Sequence, residues 1–208
     1  MKLKKKAKKI LIIVLILALV AVTGIFVYKT FFEKETIKEA KVLKEIKEYG
    51  YVLKDNKSKK YQELFKELAK ILEKEDVNYE EYASKLAEMF IVDFYSLSDK
   101  TAKTDVGGVD IVHPDILNNF LENAENTYYK YVESNIYNNR NQSLPEVNTT
   151  TIESVEKTTY TYNNVTDDEA YTVKIKWDYT DEEFSSYQQE AQLTFVHVNK
   201  KLYLVELK

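Results

Sequence analysis

The chain has 208 residues, 30 of them basic and 34 acidic, and contains no cysteine, which excludes disulfides, thiolate metal sites and a thiol nucleophile. Six of the basic residues, Lys2, Lys4, Lys5, Lys6, Lys8 and Lys9, crowd the first nine positions. Setting them aside leaves 24 (30 − 6) against 34, a balance of −10, so the remainder has no basic footprint for nucleic acid or anionic lipid.

The stretch Ile10 to Tyr28, ILIIVLILALVAVTGIFVY, is free of charge. At ~1.5 Å of rise per residue its length as a helix is about 28 Å, close to the ~30 Å hydrocarbon thickness of a bilayer. A helix satisfies its own backbone there, so a membrane span is predicted. A cleaved signal peptide begins in the same way. This apolar run exceeds the ~7–15 residues of a signal core, however. Ile25, Phe26, Val27 and Tyr28 also carry it past the small-residue cluster Ala21 to Gly24. Cationic flanks stay in the cytoplasm and long C-terminal domains translocate regardless of charge. The predicted organisation is a cytoplasmic basic tail over 1–9, a transmembrane helix over 10–28, a stalk over 29–41 and an extracytoplasmic α+β domain over 42–208. The Lys-, Asn-, Tyr- and Ile-rich composition, with Arg140 as its one arginine, fits an AT-rich bacterial genome, and hence a bacterial cell membrane.

Beyond the stalk, Glu45 to Leu53 has the aromatic and branched content of an edge strand. Asp55-Asn-Lys-Ser58 supplies turn and capping residues, and Tyr61, Leu64, Phe65, Leu68, Ile71 and Leu72 recur at helical spacing. Asn78 caps a second helix whose apolar positions include Tyr82, Leu86, Met89, Phe90, Phe94 and Leu97; from Leu86 onward it is apolar on almost every side, as the most enclosed helix would be. In Asp105-Val-Gly-Gly-Val-Asp110 the paired glycines predict a tight loop with positive φ, and no P-loop lysine accompanies them. Pro114 opens a third amphipathic helix through Ile116, Leu117, Phe120, Leu121, Ala124 and Tyr128, predicted to run to about Tyr137.

After Pro145 the hydrophobic period changes from helical to two. Ile152 to Tyr162 is strand-like; Tyr171, Val173, Ile175, Trp177 and Tyr179 alternate with polar residues; Gln189 to Phe195 and Val198 to Leu207 complete the set. No helical stretch separates these segments, so an antiparallel meander is expected, with three helices on its dry face.

This order of elements resembles the ketosteroid-isomerase-like, or nuclear-transport-factor-like, cone fold. Among single-pass proteins it looks most like the assembly subunit of type IV secretion and conjugation machines. The resemblance covers most of the chain as an order of elements and matches no family motif, so no catalytic residue follows from it. It implies either an assembly domain or a cone with an internal pocket.

Asp93 stands apart from its surroundings. In Met89-Phe-Ile-Val-Asp-Phe-Tyr95 it projects beside Leu86, Met89, Phe90 and Leu97, in the middle of an apolar stripe. A carboxylate there is desolvated unless it meets a cation or several donors. Two roles fit: a buried acid at the floor of a pocket, or a structural acid tied to Arg140, a tyrosine hydroxyl or backbone N–H groups. His113 and His197 have no companions at zinc-ligand spacing, so no metal is expected. No Gly-x-Ser-x-Gly elbow is present either. The tyrosines around the third helix, Tyr128, Tyr129, Tyr131 and Tyr137, suit core packing, partner contact, or a platform for sugar or peptide.

The expected function is a non-enzymatic, membrane-anchored, extracytoplasmic protein-interaction or assembly domain without a cofactor. The alternative is a ligand-binding or enzymatic cone with Asp93 in its pocket. Expected partners are the membrane through Ile10 to Tyr28, envelope proteins, and a second copy of the chain if it oligomerises.

Overall fold

The computed structural model describes residues 40–208, together with Leu19, Val22 and Thr23. The basic tail with its six lysines, the rest of the expected span Ile10 to Tyr28, and the expected stalk as far as Glu39 lie outside the described residues. Among the described residues no helix is long and apolar enough to cross a membrane. Leu19, Val22 and Thr23 are themselves helical, and Thr23 Oγ1 donates to the Leu19 carbonyl at 2.9 Å.

Ala40 to Lys208 forms a unit of its own, an α+β arrangement with three α-helices and a four-stranded antiparallel sheet among the described residues. It opens with a hairpin, β1 (Val42–Ile46) and β2 (Tyr51–Lys54), where the sequence predicts one edge strand over 45–53. The correction lies at Gly50. Its φ of 66° and its N–H bond to the Ile46 carbonyl at 2.9 Å reverse the chain, which most residues with a side chain resist. Tyr49, beside it, is buried edge-on against Tyr82.

Helix α1 (Lys59–Leu72) starts where Ser58 Oγ accepts from the Tyr61 N–H at 3.2 Å; its buried face is Tyr61, Phe65, Leu68, Ala69 and Leu72. Helix α2 (Tyr79–Tyr95) starts where Asn78 Oδ1 accepts from the Glu80 and Glu81 N–H groups at 3.0 and 3.2 Å. These two acids also suit the positive end of the helix dipole. Eleven of the 17 residues of α2 are buried, including every one from Met89 to Tyr95, so α2 is the axle of the domain. It packs against α1 on one side and the sheet on the other. Full burial of a large apolar side chain contributes about 1.5–3 kcal/mol, so this helix carries much of the fold's stability.

Helix α3 (Pro114–Asn126) starts at His113, whose Nδ1 accepts from the Asp115 N–H at 3.2 Å. It ends at Asn126, eleven residues short of the predicted Tyr137. Continuing the apolar stripe would bury Tyr131, yet Tyr131 is exposed and Tyr129 is buried. The chain leaves the helix so that the Tyr129 hydroxyl can donate to the Phe94 carbonyl at 2.6 Å and accept from the Gly107 N–H at 3.1 Å.

The sheet is a meander of β3 (Val147–Tyr162), β4 (Val165–Tyr179), β5 (Glu190–Val198) and β6 (Lys201–Leu207), in that spatial order. Asn163 and Asn164, both with positive φ, make the two-residue turn between β3 and β4. Tyr171, Val173, Ile175, Trp177 and Tyr179 all point into the core, as their alternation predicts. On the opposite face Ala170, Val196 and Val205 pack with Tyr160 and Tyr162 into a second, small apolar cluster. Neither border of the sheet is a clean strand. Three register shifts interrupt β3, and beyond β6 the bridge Val112–Leu204 lays the chain before α3 along the edge.

Candidate functional site

Two groups of side chains meet the last turn of α2, one ionic and one apolar. The ionic one is built on Asp93, which is 3% exposed. Lys57 Nζ, from the turn before α1, donates to its Oδ2 at 2.5 Å. Lys100 Nζ, from the loop after α2, donates to its Oδ1 at 3.1 Å, and the Gly108 N–H donates to Oδ2 at 2.7 Å. Lys100 also contacts Asp99 at 2.9 Å. Burial opposes ionisation of Asp93, but the charges of Lys100 and Lys57 and the Gly108 N–H outweigh it and hold the carboxyl below its ordinary range. Burial likewise opposes the charge on Lys100, and Asp93 and Asp99 overcome it, raising its pKa. Asp99 moves the other way, raised by burial that Lys100 only partly offsets. Two cations and two carboxylates thus stand together as a neutral set.

The glycine pair belongs to the same construction. Gly108 has the expected positive φ, 77°, and a Cβ there would come within 2.6 Å of the Phe90 ring. A Cβ on Gly107 would overlap the Asp93 carbonyl. The loop therefore lies flush on α2, close enough for its backbone to reach a carboxylate.

Arg140 does not pair with Asp93. Its guanidinium donates to the carbonyls of Ser98 and Lys100, each at 2.8 Å, and of Glu133 at 3.2 Å. It holds the loop that presents Lys100, so its link to Asp93 is indirect. The planar fork suits several carbonyls at once, whereas the carboxylate is already served by two lysines. Lys57 and Lys100 escape sequence reasoning because both stand outside the helix that carries Asp93.

On the other side, Phe94 and Tyr95 form a wall of a cleft of about 440 Å³. Helix α3 and its end supply the facing wall through Ile116, Asn119, Phe120, Asn123, Ala124, Thr127 and Tyr128; Gln188 and Leu207 close the rim. The lining contains no charged or imidazole side chain, although 31% of the chain is charged. The rings pack on one another: Tyr95 lies edge-on to Tyr128 with centroids 4.9 Å apart, and Trp177 stands behind Tyr95 at 4.4 Å. Tyr128 and Tyr179 share a hydroxyl–hydroxyl bond of 3.0 Å, and Tyr179 donates to the Gln188 carbonyl at 2.9 Å. Burial pushes the hydroxyls of both Tyr95 and Tyr128 upward in pKa, further from neutrality. Asp93 is not among the cleft's lining residues.

The histidines are occupied separately. His113 caps α3. His197 Nδ1 lies 2.9 Å from Asp167 Oδ2, which also accepts the His197 N–H at 2.7 Å, and its ring is 4.9 Å from that of Tyr79. Among the described residues no three His, Asp or Glu side chains are grouped to hold a metal ion.

No protein-family model matches the chain, and no curated protein or solved structure matches it either.

Proposed function

We propose that this chain is a single-pass membrane protein whose acidic outer domain binds other proteins at the cell envelope and performs no chemistry of its own. The observation that carries this reading is the lining of the cleft, which has aromatic walls and an amide-bearing rim without an acid, a base or a cation. Acid–base catalysis needs a group that titrates near the working pH and reaches the substrate. The cleft offers only tyrosines with raised pKa values. Asp93, the acid best placed to be unusual, is held ionised by two lysines and a backbone N–H. The apolar run Ile10 to Tyr28 supports the anchor, with Lys2 to Lys9 on the cytoplasmic side. Helices followed by an antiparallel meander support the cone-like reading, and with an anchor they favour an assembly subunit of the kind found in secretion and conjugation machines.

A second reading, a cone that holds a small ligand, is favoured by the size of the cleft. Its volume of about 440 Å³ falls within the ~300–1,000 Å³ usual for such sites. Two measurements separate the readings. Alkaline washing of membranes leaves the chain in place and detergent releases it. A photo-crosslinking residue in place of Asn126, exposed at the end of α3 beside the cleft, forms an adduct with another polypeptide in intact cells. Release by salt alone removes the anchor, and adducts confined to small molecules favour the second reading.

A further inference from the structure

The face that α3 turns to the cleft has a regular chemistry. Ile116, Phe120 and Ala124 form its apolar row, and Asn119, Asn123 and Thr127 form a polar row beside it. Four residues of helix rise about 6 Å, so the polar row repeats at about 6 Å. An extended peptide repeats same-facing groups every second residue, about 6.8 Å. Each asparagine amide offers both an acceptor and donors, the complement of one backbone N–H and one C=O. Asn119 and Asn123 are exposed, and among the described residues their side-chain amides have no hydrogen-bond partner. The Tyr95 hydroxyl has none either, although the residue is only 2% exposed and lines the cleft.

From this geometry we infer that the cleft takes an extended, uncharged peptide segment of a partner protein, its backbone amides on Asn119 and Asn123 and one bulky apolar side chain against the half-buried Ile116, Phe120 and Tyr128, in front of the closed wall of Phe94 and Tyr95. The inference rests on the protein-binding reading above and gives it a ligand class. Charge argues for a neutral segment, because a lysine or carboxylate entering here would lose water and meet no counter-ion. Ring geometry argues against a sugar. Phe94 and Tyr95 are packed edge-on at 86°, and both are more than nine-tenths buried. Neither offers a flat face on which a pyranose could stack.

The chain carries its own reporter. Trp177 is its single tryptophan, and it touches the Tyr95 ring from behind. The probe is a library of seven-residue peptides displayed on phage, selected on the full-length chain in lipid nanodiscs. Synthetic copies of the selected peptides are then titrated while Trp177 emission is followed. The expected result is a set of sequences with one bulky apolar residue flanked by uncharged ones, each shifting the emission saturably. Asn119→Ala combined with Asn123→Ala weakens binding about tenfold, from two lost amide contacts. Both positions are exposed on a helix, so alanine leaves the fold intact. Asn118→Ala, an exposed neighbour off the cleft-facing stripe, leaves affinity unchanged. No peptide that moves the emission, or equal affinity in the double variant, overturns the inference. Saturable binding of an N-acetylglucosamine tetramer with the same asparagine dependence reassigns the cleft to glycan. A polypeptide adduct from position 126 in cells, together with a failed selection, removes the neutral-peptide class alone. No polypeptide adduct removes the broader reading as well.

Discussion

Asp93 and Tyr95 are two residues apart on one helix, and their surroundings are opposites. Around Asp93 each charge has a counter-charge within about 3 Å, and a backbone N–H fills a further lone pair. Around Tyr95 there is no charge, its hydroxyl is free, and the amides of Asn119 and Asn123 stand open. The lesson is that burial of an ionisable group does not by itself mark a functional site. Asp93 looks odder in sequence, but its interactions are complete; the cleft looks ordinary, and its polar groups have capacity to spare.

The first way to break this contrast is Asp93→Asn, which leaves Lys100 buried beside an unneutralised second lysine. Removing one member of a buried ion set costs about 3–5 kcal/mol, and urea unfolding should show a loss of about 3 kcal/mol with Trp177 emission in the native state unchanged. A loss below ~1 kcal/mol would mean that water already reaches the cluster. Gly107→Ala comes next. Forcing a methyl group against the Asp93 carbonyl should cost about 2–3 kcal/mol by the same measurement, because the loop must lift from α2. Arg140→Lys should cost about 1–2 kcal/mol, since one ammonium cannot serve the carbonyls of Ser98, Lys100 and Glu133 together. Tyr131→Ser, at an exposed position, should change stability by less than ~0.5 kcal/mol.

Acid sharpens the comparison further. The native pKa of Asp93 is lowered, so its contribution is fully present above the unfolded carboxyl value of about 3.9 and is lost as pH falls through the lower native value. Asp99 is raised and has the opposite sign. Its penalty, complete above its native pKa, fades as pH falls through that value towards the unfolded one. Melting temperature followed from pH 7 to pH 2 should therefore rise slightly before it falls. Asp93→Asn should remove its share of the final fall, and Asp99→Asn the initial rise. The cleft has no group that titrates in this range, so peptide affinity should stay flat wherever the fold persists.

Local signals made much of this legible. Ser58 and Asn78 announce their helices, Pro114 announces the third, and the alternation from Tyr171 to Tyr179 fixes which face of β4 is dry. The failures share one cause, which is that distant contacts decide them. Nothing near Tyr128 reveals that the hydroxyl of Tyr129 is needed by Phe94 and Gly107, and so nothing stops α3 on paper at Asn126. Gly50 reads as an interruption of a strand until Tyr49 is seen packed on Tyr82. Asp93 is conspicuous from its neighbours alone, yet Lys57 lies 36 residues away and Lys100 beyond the helix end. The cleft is the least legible feature, because it draws on α2, α3, the β4–β5 connection and the last strand at once.

The borders of the main sheet have a consequence for crowding. An open strand edge is a template on which a second molecule can polymerise, and proteins concentrated on a surface meet that hazard constantly. Here the register breaks along β3 distort one template, and the residues that pair with Leu204 occupy part of the other. Both borders are thereby poorer templates for an incoming strand than a regular edge would be.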